Sequence, residues 1–286
     1  MIKDCLISGE TKVVGLIGYP VEHSFSPVMH NAAFQHLHLN YVYVPFPVAS
    51  NSTLTQAVRG LFSAGAAGLN VTVPYKEQVI SCLDNLDGYA RSVGAVNTIV
   101  REQDKLVGYN TDGKGFIQSL RSEGVEVMGR NILLLGAGGA AKAVAFALGQ
   151  AGVSKLYIAN RTVERAEQLA AQLLGSTQTI GIELSEKALG TVVDQCSIIV
   201  NTTSIGMYPR VEGIPFPALM LTSNHIVADL VYNPVETRLL SAARKQGCKT
   251  ISGLGMLAYQ GAASFQLWTG QTAPVEIMQQ VIAKMI

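Results

Sequence analysis

In "NVTVPYKEQV" (70–79) a lysine stands directly behind a run of strand-forming residues. Val71, Thr72 and Val73 favour extended backbone, and Pro74, which has no backbone donor, closes the strand. Lys76 therefore falls just past a strand end and ahead of a helical stretch, where open α/β proteins gather their chemistry. Its ammonium can give or take the hydroxyl proton when an alcohol and a ketone are interconverted, provided an acidic neighbour or partial burial positions and tunes it. Asp112 in "GYNTDGKG" (108–115) can supply that carboxylate or cap a helix, and the two roles are compatible. Of the five histidines, His30, His36 and His38 fall on a predicted helix and His225 precedes a predicted buried strand, so these read as structural. His23, beside the "SFS" turn, stays a candidate.

The second cluster able to do chemistry is "NILLLGAGGAAKAVAFAL" (131–148). The apolar run Ile132–Leu135 leads into Gly136, Ala137, Gly138, Gly139, Ala140 and Ala141, which fits G-x-G-x-x-G/A with alanine last. Gly136 permits the tight turn, Gly138 lets the backbone approach a pyrophosphate, and the small Ala141 lets the helix lie close to the strand. Exposed N–H groups at the helix start then face the phosphates. The next strand, in "KLYIANRTVERAEQLA" (155–170), ends at Asn160, Arg161 and Thr162 without the carboxylate that an NAD site uses for the ribose 2′-hydroxyl. Arg161 and Arg165 instead offer cationic forks for a 2′-phosphate, with Asn160 and Thr162 adding hydrogen bonds, which favours NADP. A purely structural reading makes Thr162 a helix cap and Arg165 surface charge, and leaves the missing acid unexplained.

The elements that carry these groups alternate. Strands are predicted over 12–18, 41–48 and 68–73, with the prolines of "YVYVPFPV" marking an edge. Helices are predicted over 26–39, with Ser26 as cap and Pro27 in the first turn, and over 53–65. Residues 96–111 read as two strands around a polar turn, and a helix capped by Asp112 runs to Gly124. Strands follow near 131–135, 155–159, 179–183, 197–201 and 226–230, with helices beginning near 139, 162 and 235, and a helical tail after residue 252. The expected class is α/β: residues 1–111 as one domain, 112–252 as a Rossmann-type, doubly wound nucleotide-binding domain, and 253–286 as C-terminal helices.

Composition narrows the class further. The 286 residues are 48% hydrophobic and 14% charged, which excludes wholesale disorder. A formal net charge of +1 gives no global attraction to nucleic acid or anionic membranes. Cys5, Cys82, Cys196 and Cys248 lie far apart, with no CxxC pair and no histidine at zinc-ligand spacing, so free thiols in a reducing cytoplasm and no metal are expected. The N-terminus lacks the pattern of a signal peptide. Residues 132–152 approach the hydropathy of a membrane span, but Lys142 and the glycine cluster point to a buried strand-turn-helix.

Nine blocks, in order and across nearly the whole chain, resemble the shikimate dehydrogenase family: "GYPVEHSFSPVMHNAAF", "GLNVTVPYKE", "GAVNTI", "GYNTDGKGF", "LLLGAGGAA", "NRT", "NTTSIGM", "DLVYNPVET" and "GLGMLAYQGAASFQLWTG". The resemblance implies reversible, NADPH-dependent reduction of 3-dehydroshikimate to shikimate. It implies Lys76 and Asp112 as the catalytic pair, and Ser24 and Ser26 as the hydroxyls that hold the substrate carboxylate. Asn70, Thr72, Asn97 and Gln260 match groups that bind the ring hydroxyls, and Tyr232 matches a further substrate-side residue. Gly136 to Ala140, the "NRTVER" segment, Leu230 and Gly253 match cofactor contacts, with Leu230 at a position often held by methionine. The same resemblance implies an N-terminal substrate-binding domain, an NADP(H)-binding domain, C-terminal helices that return to the first domain, and a site in the cleft between domains. A monomer or homodimer is expected. A quinate/shikimate dehydrogenase with broader substrate or NAD use is the nearest alternative, and a non-catalytic NADP-binding sensor the more distant one.

Overall fold

The structure, a computed structural model, describes residues 7–173, 175 and 177–285; Cys5 lies outside them. The chain divides into two compact units, one running to Thr111 and resuming at Ala258, the other spanning Asp112–Leu257.

The first unit contains β1 (Lys12–Gly18), α1 (Ser26–His36), β2 (Tyr41–Pro47), α2 (Leu54–Ser63), β3 (Gly68–Val71), β4 (Asn85–Leu86), α3 (Gly88–Val93), β5 (Thr98–Glu102) and β6 (Lys105–Tyr109). Its sheet has the order β2-β1-β3-β5-β6-β4. Helical crossovers make β1 parallel to β2 and β3, whereas the tight connection between β5 and β6 makes that pair antiparallel. β2 lies at the edge, where Pro45 and Pro47 cost no ladder bond. Ile17, Leu54, Val58, Phe62, Leu69, Val71 and Ile99 pack together beneath the sheet.

Three local expectations change. β3 stops at Val71 rather than 73, because its ladder with β5 ends at Asn70 and its ladder with β1 ends at Val71. α1 stops at His36, and His38 (φ 53°) lies outside it. Ser26 is the first residue of α1 and not its cap; Phe25 occupies the cap position and makes no side-chain bond there.

The second unit contains α4 (Asp112–Ser122), β7 (Asn131–Leu135), α5 (Gly139–Gln150), β8 (Lys155–Asn160), α6 (Val163–Gln172), β9 (Gln178–Glu183), α7 (Glu186–Gly190), β10 (Ile198–Asn201), β11 (Ile226–Asp229), α8 (Arg238–Lys245) and β12 (Lys249–Ile251). All its strand pairs are parallel, in the order β12-β11-β10-β7-β8-β9. Both faces are covered over the central strands, so β7 and β10 read as continuous apolar runs, while the edge strand β9 has no buried residue. Ile132 and Leu134 enter one core with Val144, Leu148 and Ile158, while Leu133 and Leu135 enter the other with Ile199, Val227 and Leu239. The strand order reverses between β7 and β10, and the C-terminal ends of these strands form the switch point where dinucleotides bind in such sheets. This is a Rossmann-type domain.

α8 begins at Arg238, later than expected, because Thr237 caps it through Leu240 N–H. The last helices are α9 (Gly253–Thr269) and α10 (Val275–Ala283); the division between units falls inside α9. Among the described residues no helix is long and apolar enough to cross a membrane.

Candidate active site

Of the residues expected on the substrate side, Ser24, Ser26, Asn70, Thr72 and Lys76 lie at or just past the C-terminal ends of β1 and β3. Thr72 N–H donates to the Ile17 carbonyl (2.8 Å), so the chain past β3 stays beside the chain leaving β1. Gly18 makes this approach possible, since a Cβ there would lie 2.2 Å from Thr72 Cγ2. Between β1 and α1, Ser24 Oγ accepts from Ser26 N–H (3.2 Å). Two hydroxyls thus stand at a helix start, where the N-terminal dipole favours an anion. Lys76 is half-buried behind the fully packed Tyr75, whose hydroxyl donates to the Val48 carbonyl (2.7 Å). Its own carbonyl accepts from Val96 N–H (2.7 Å), which ties the lysine's backbone to the residue before Asn97.

Asn97 is buried at the centre of a polar network. Its Oδ1 accepts from the Thr98 hydroxyl (2.9 Å) and Thr111 N–H (2.8 Å), and its Nδ2 donates to Thr111 Oγ1 (2.8 Å) and Gln260 Oε1 (3.2 Å). Two donors on Oδ1 fix the amide orientation, so Asn97 turns a donor and Gln260 an acceptor toward each other. Asn70 sits deeper. Its Oδ1 accepts from Tyr43 Oη (2.9 Å), and its Nδ2 reaches the Asn97 carbonyl (3.0 Å), Ser264 Oγ (3.1 Å) and Thr98 Oγ1 (3.2 Å). Ser264 Oγ lies 2.7 Å from Thr98 Oγ1. Tyr43 in turn stacks on His30, with centroids 4.5 Å apart. Both His30 ring nitrogens are buried without partners, and burial pulls its pKa down to about 3. It is a neutral core residue. His225 is also structural, accepting from Thr222 N–H at Nδ1 (3.0 Å). His23 is exposed.

In the second unit the glycine turn follows β7 at the switch point. Gly136 has φ +111°, and a Cβ there would lie 2.7 Å from Thr202 Oγ1, so glycine is required. A Cβ on Gly138 would meet nothing within 4 Å, which leaves the backbone open to a ligand. Gly138 is the N-cap of α5 and has no side chain to bond the first N–H groups. Ala137 is buried, while Gly139 and Ala140 are half-buried in the first turn. At the end of β8, Asn160 Nδ2 donates to the Thr162 carbonyl (2.8 Å), holding a turn that leaves Arg161, Thr162 and Arg165 exposed. Thr162 occupies the cap position of α6 but makes no side-chain cap bond, so the purely structural reading of its hydroxyl loses its support. These groups fit a dinucleotide phosphate and an anionic ribose substituent.

Asp112 is the first residue of α4 and is buried, following Thr111 in the Asn97 network directly. Leu230 and Tyr232, both half-buried, flank Val231 just past β11. A Cβ on Gly253 would lie 2.4 Å from the Leu230 carbonyl, so those two cofactor candidates adjoin. Thr98, Thr111 and Ser264 were not anticipated. Weak signals point to two of them: Thr98 follows Asn97 in "AVNTI", and Ser264 lies four residues after Gln260, on the same helix face.

Residues 16–99 match the family model for the shikimate dehydrogenase substrate binding domain, residues 119–208 that for shikimate/quinate 5-dehydrogenase, and residues 253–283 that for the shikimate 5′-dehydrogenase C-terminal domain. A shikimate dehydrogenase (NADP(+)) of Desulforamulus reducens is 51% identical over 286 residues, covering 99% of this chain and 98% of that protein. The crystal structure of a shikimate dehydrogenase in complex with NADP+ is similar with a TM-score of 0.90 at 45% identity, covering 98% of each chain. A Thermus thermophilus shikimate 5-dehydrogenase in complex with NADP(H) and shikimate gives 0.83 at 34% identity, covering 96% of this chain and 100% of that one. With 51% of aligned residues shared with one such relative over nearly its whole length, this chain belongs to the shikimate dehydrogenase family.

Proposed function

We propose that the protein is an NADP-dependent oxidoreductase that reversibly reduces 3-dehydroshikimate to shikimate, within chorismate and aromatic amino acid biosynthesis. The observation that carries this reading is the meeting of Lys76, Thr72 and the Asn97–Gln260 pair in one unit, in a chain aligned end to end with NADP-dependent shikimate dehydrogenases. Ser24 and Ser26 hold the substrate carboxylate. Asn70, Thr72, Asn97 and Gln260 hold ring hydroxyls, and Tyr232 contributes a further substrate-side group.

NADPH, when bound, supplies the hydride. Gly136 to Ala140 would hold its pyrophosphate, Asn160, Arg161, Thr162 and Arg165 its 2′-phosphate, and Leu230 and Gly253 would add further contacts to it. Lys76 Nζ gives a proton to the carbonyl oxygen of 3-dehydroshikimate as the alcohol forms, and takes it back in the reverse direction. The Asp112 carboxylate orients that ammonium. We place the protein in the cytoplasm, where Cys82, Cys196 and Cys248, all buried and free, remain reduced. We also infer a monomer or homodimer with no nucleic-acid or membrane partner.

The test is loss of NADPH absorbance on adding 3-dehydroshikimate, repeated with NADH and, in reverse, with shikimate and quinate. Turnover confined to NADPH and the shikimate pair supports the reading. Comparable rates with NADH or quinate favour a broad quinate/shikimate dehydrogenase, and NADP+ binding without turnover favours a sensor.

A further inference from the structure

A buried carboxylate that this chemistry does not use lies at the C-terminal edge of the second sheet. Asp229, the last residue of β11, is 2% exposed. Its Oδ1 accepts from Asn201 Nδ2 (2.8 Å) and Val231 N–H (3.0 Å), and its Oδ2 accepts from the Thr237 hydroxyl (2.7 Å). Burial pushes its pKa up to about 6 despite these donors. An apolar residue would fill such a position at less cost, so the carboxylate must be judged by what it holds.

It holds the segments that leave the sheet beside the switch point. Asn201 ends β10, and its Oδ1 accepts from Thr203 N–H (3.0 Å) and the Thr203 hydroxyl (2.7 Å). Thr203 Oγ1 then accepts from Ile205 N–H (3.1 Å), which sets the loop after β10. Thr202, between them, donates to the Leu135 carbonyl (2.6 Å) and stands against Gly136 of the dinucleotide turn. Val231 lies between Leu230 and Tyr232, so its bond to Asp229 orients both neighbours. Thr237 accepts from Leu240 N–H (3.2 Å) and closes the far end of the same turn. In an open parallel sheet, the strands on this side of the reversal receive the mononucleotide half opposite the one at Arg161.

We propose that Asp229 is a positioning residue for the nicotinamide half of the cofactor, holding the loop after β10 and the Leu230–Tyr232 turn in one fixed arrangement. The proposal rests on the NADPH-dependent reading above.

Asp229→Asn tests it with little change of shape. The new amide oxygen can still accept from Asn201 and Val231, while the amide nitrogen faces Thr237, whose hydroxyl loses its acceptor. Loss of a hydrogen bond to a charged group predicts a fall of about tenfold or more in kcat/KM for NADPH and weaker NADP+ binding measured calorimetrically without substrate. KM for 3-dehydroshikimate should change less than about twofold. Thr237→Val, which removes one donor to the carboxylate, should shift the same constants in the same direction by less, and serves if Asp229→Asn does not fold. Leu239→Val, in the apolar core beneath α8, should lower the melting temperature without altering these constants. Unchanged NADP+ affinity in both network variants, equal rises in both KM values, or the same split in Leu239→Val would overturn the proposal. Failure of the wild type to turn over would sink the functional reading separately, and NADP+ affinity would still decide the role of Asp229.

Discussion

His30 makes the first unit acid-sensitive by an amount that follows from its burial. The ring is fully buried between Tyr43 and Phe265, and its nitrogens have no partners. Its pKa falls from 6.5 in the unfolded chain to about 3 in the folded one. A base whose folded pKa lies below its unfolded value gives full stability above the unfolded pKa and loses it as pH falls toward the folded pKa. At about pH 5 the unfolded chain holds nearly one more proton at this site than the folded chain. Integrated from neutral pH, the loss is about 2 kcal/mol by pH 5 and about 4 kcal/mol by pH 3. His30→Phe keeps a ring in the stack and removes the titration. Any packing penalty is independent of pH, so it offsets the curve without tilting it. Trp268 is the chain's single tryptophan and lies 5.4 Å from His30, so its fluorescence in urea reports unfolding of this unit. The wild type should lose about 2 kcal/mol more than His30→Phe between about pH 7.5 and 5. Parallel loss in the two proteins would refute the assignment of a neutral, unpartnered His30.

Other expectations concern the site. Arg161→Ala should raise KM for NADPH by about tenfold to a hundredfold, from loss of a charge-assisted bond, and leave NADH use nearly unchanged; equal loss with both cofactors would make Arg161 structural. Gly136→Ala places a Cβ 2.7 Å from Thr202 Oγ1 at φ +111°, so calorimetry should show weakened NADP+ binding and a melt should show lower stability. Thr98→Val removes a donor that fixes Asn97, and should lower kcat/KM for shikimate by about tenfold with KM for NADP+ unmoved, measured by steady-state oxidation.

The Rossmann-type domain is legible in the sequence because its signals are local. An apolar strand, a glycine turn and an alanine-rich helix occupy consecutive residues, and the absence of an acid after β8 is read by position alone. Element ends are less legible. β3 stops where its two neighbours leave it, and Thr72 and Val73 have extended propensity whether or not a partner strand lies beside them. Lys76 and Asp112 stand out by type, but it is the family resemblance that implies them as a pair, since no local pattern links residues 76 and 112. The Thr98–Ser264 contact joins positions 166 residues apart, and Asn201–Asp229 joins positions 28 apart. Such side chains have ordinary local contexts, and only the packed sheets reveal what they touch. β12, of three residues, is too short to show a period of its own.

In the proposed mechanism Lys76 moves the proton. The most direct test is turnover by Lys76→Ala with NADPH and 3-dehydroshikimate, alongside equilibrium binding of shikimate to the same variant. The predicted result is a fall in kcat of about 10²–10⁴-fold, the usual yield of general acid–base catalysis, with shikimate affinity reduced far less because the serine hydroxyls and the Asn97–Gln260 pair remain. Near-normal turnover by Lys76→Ala would contradict the account and make His23 the next candidate.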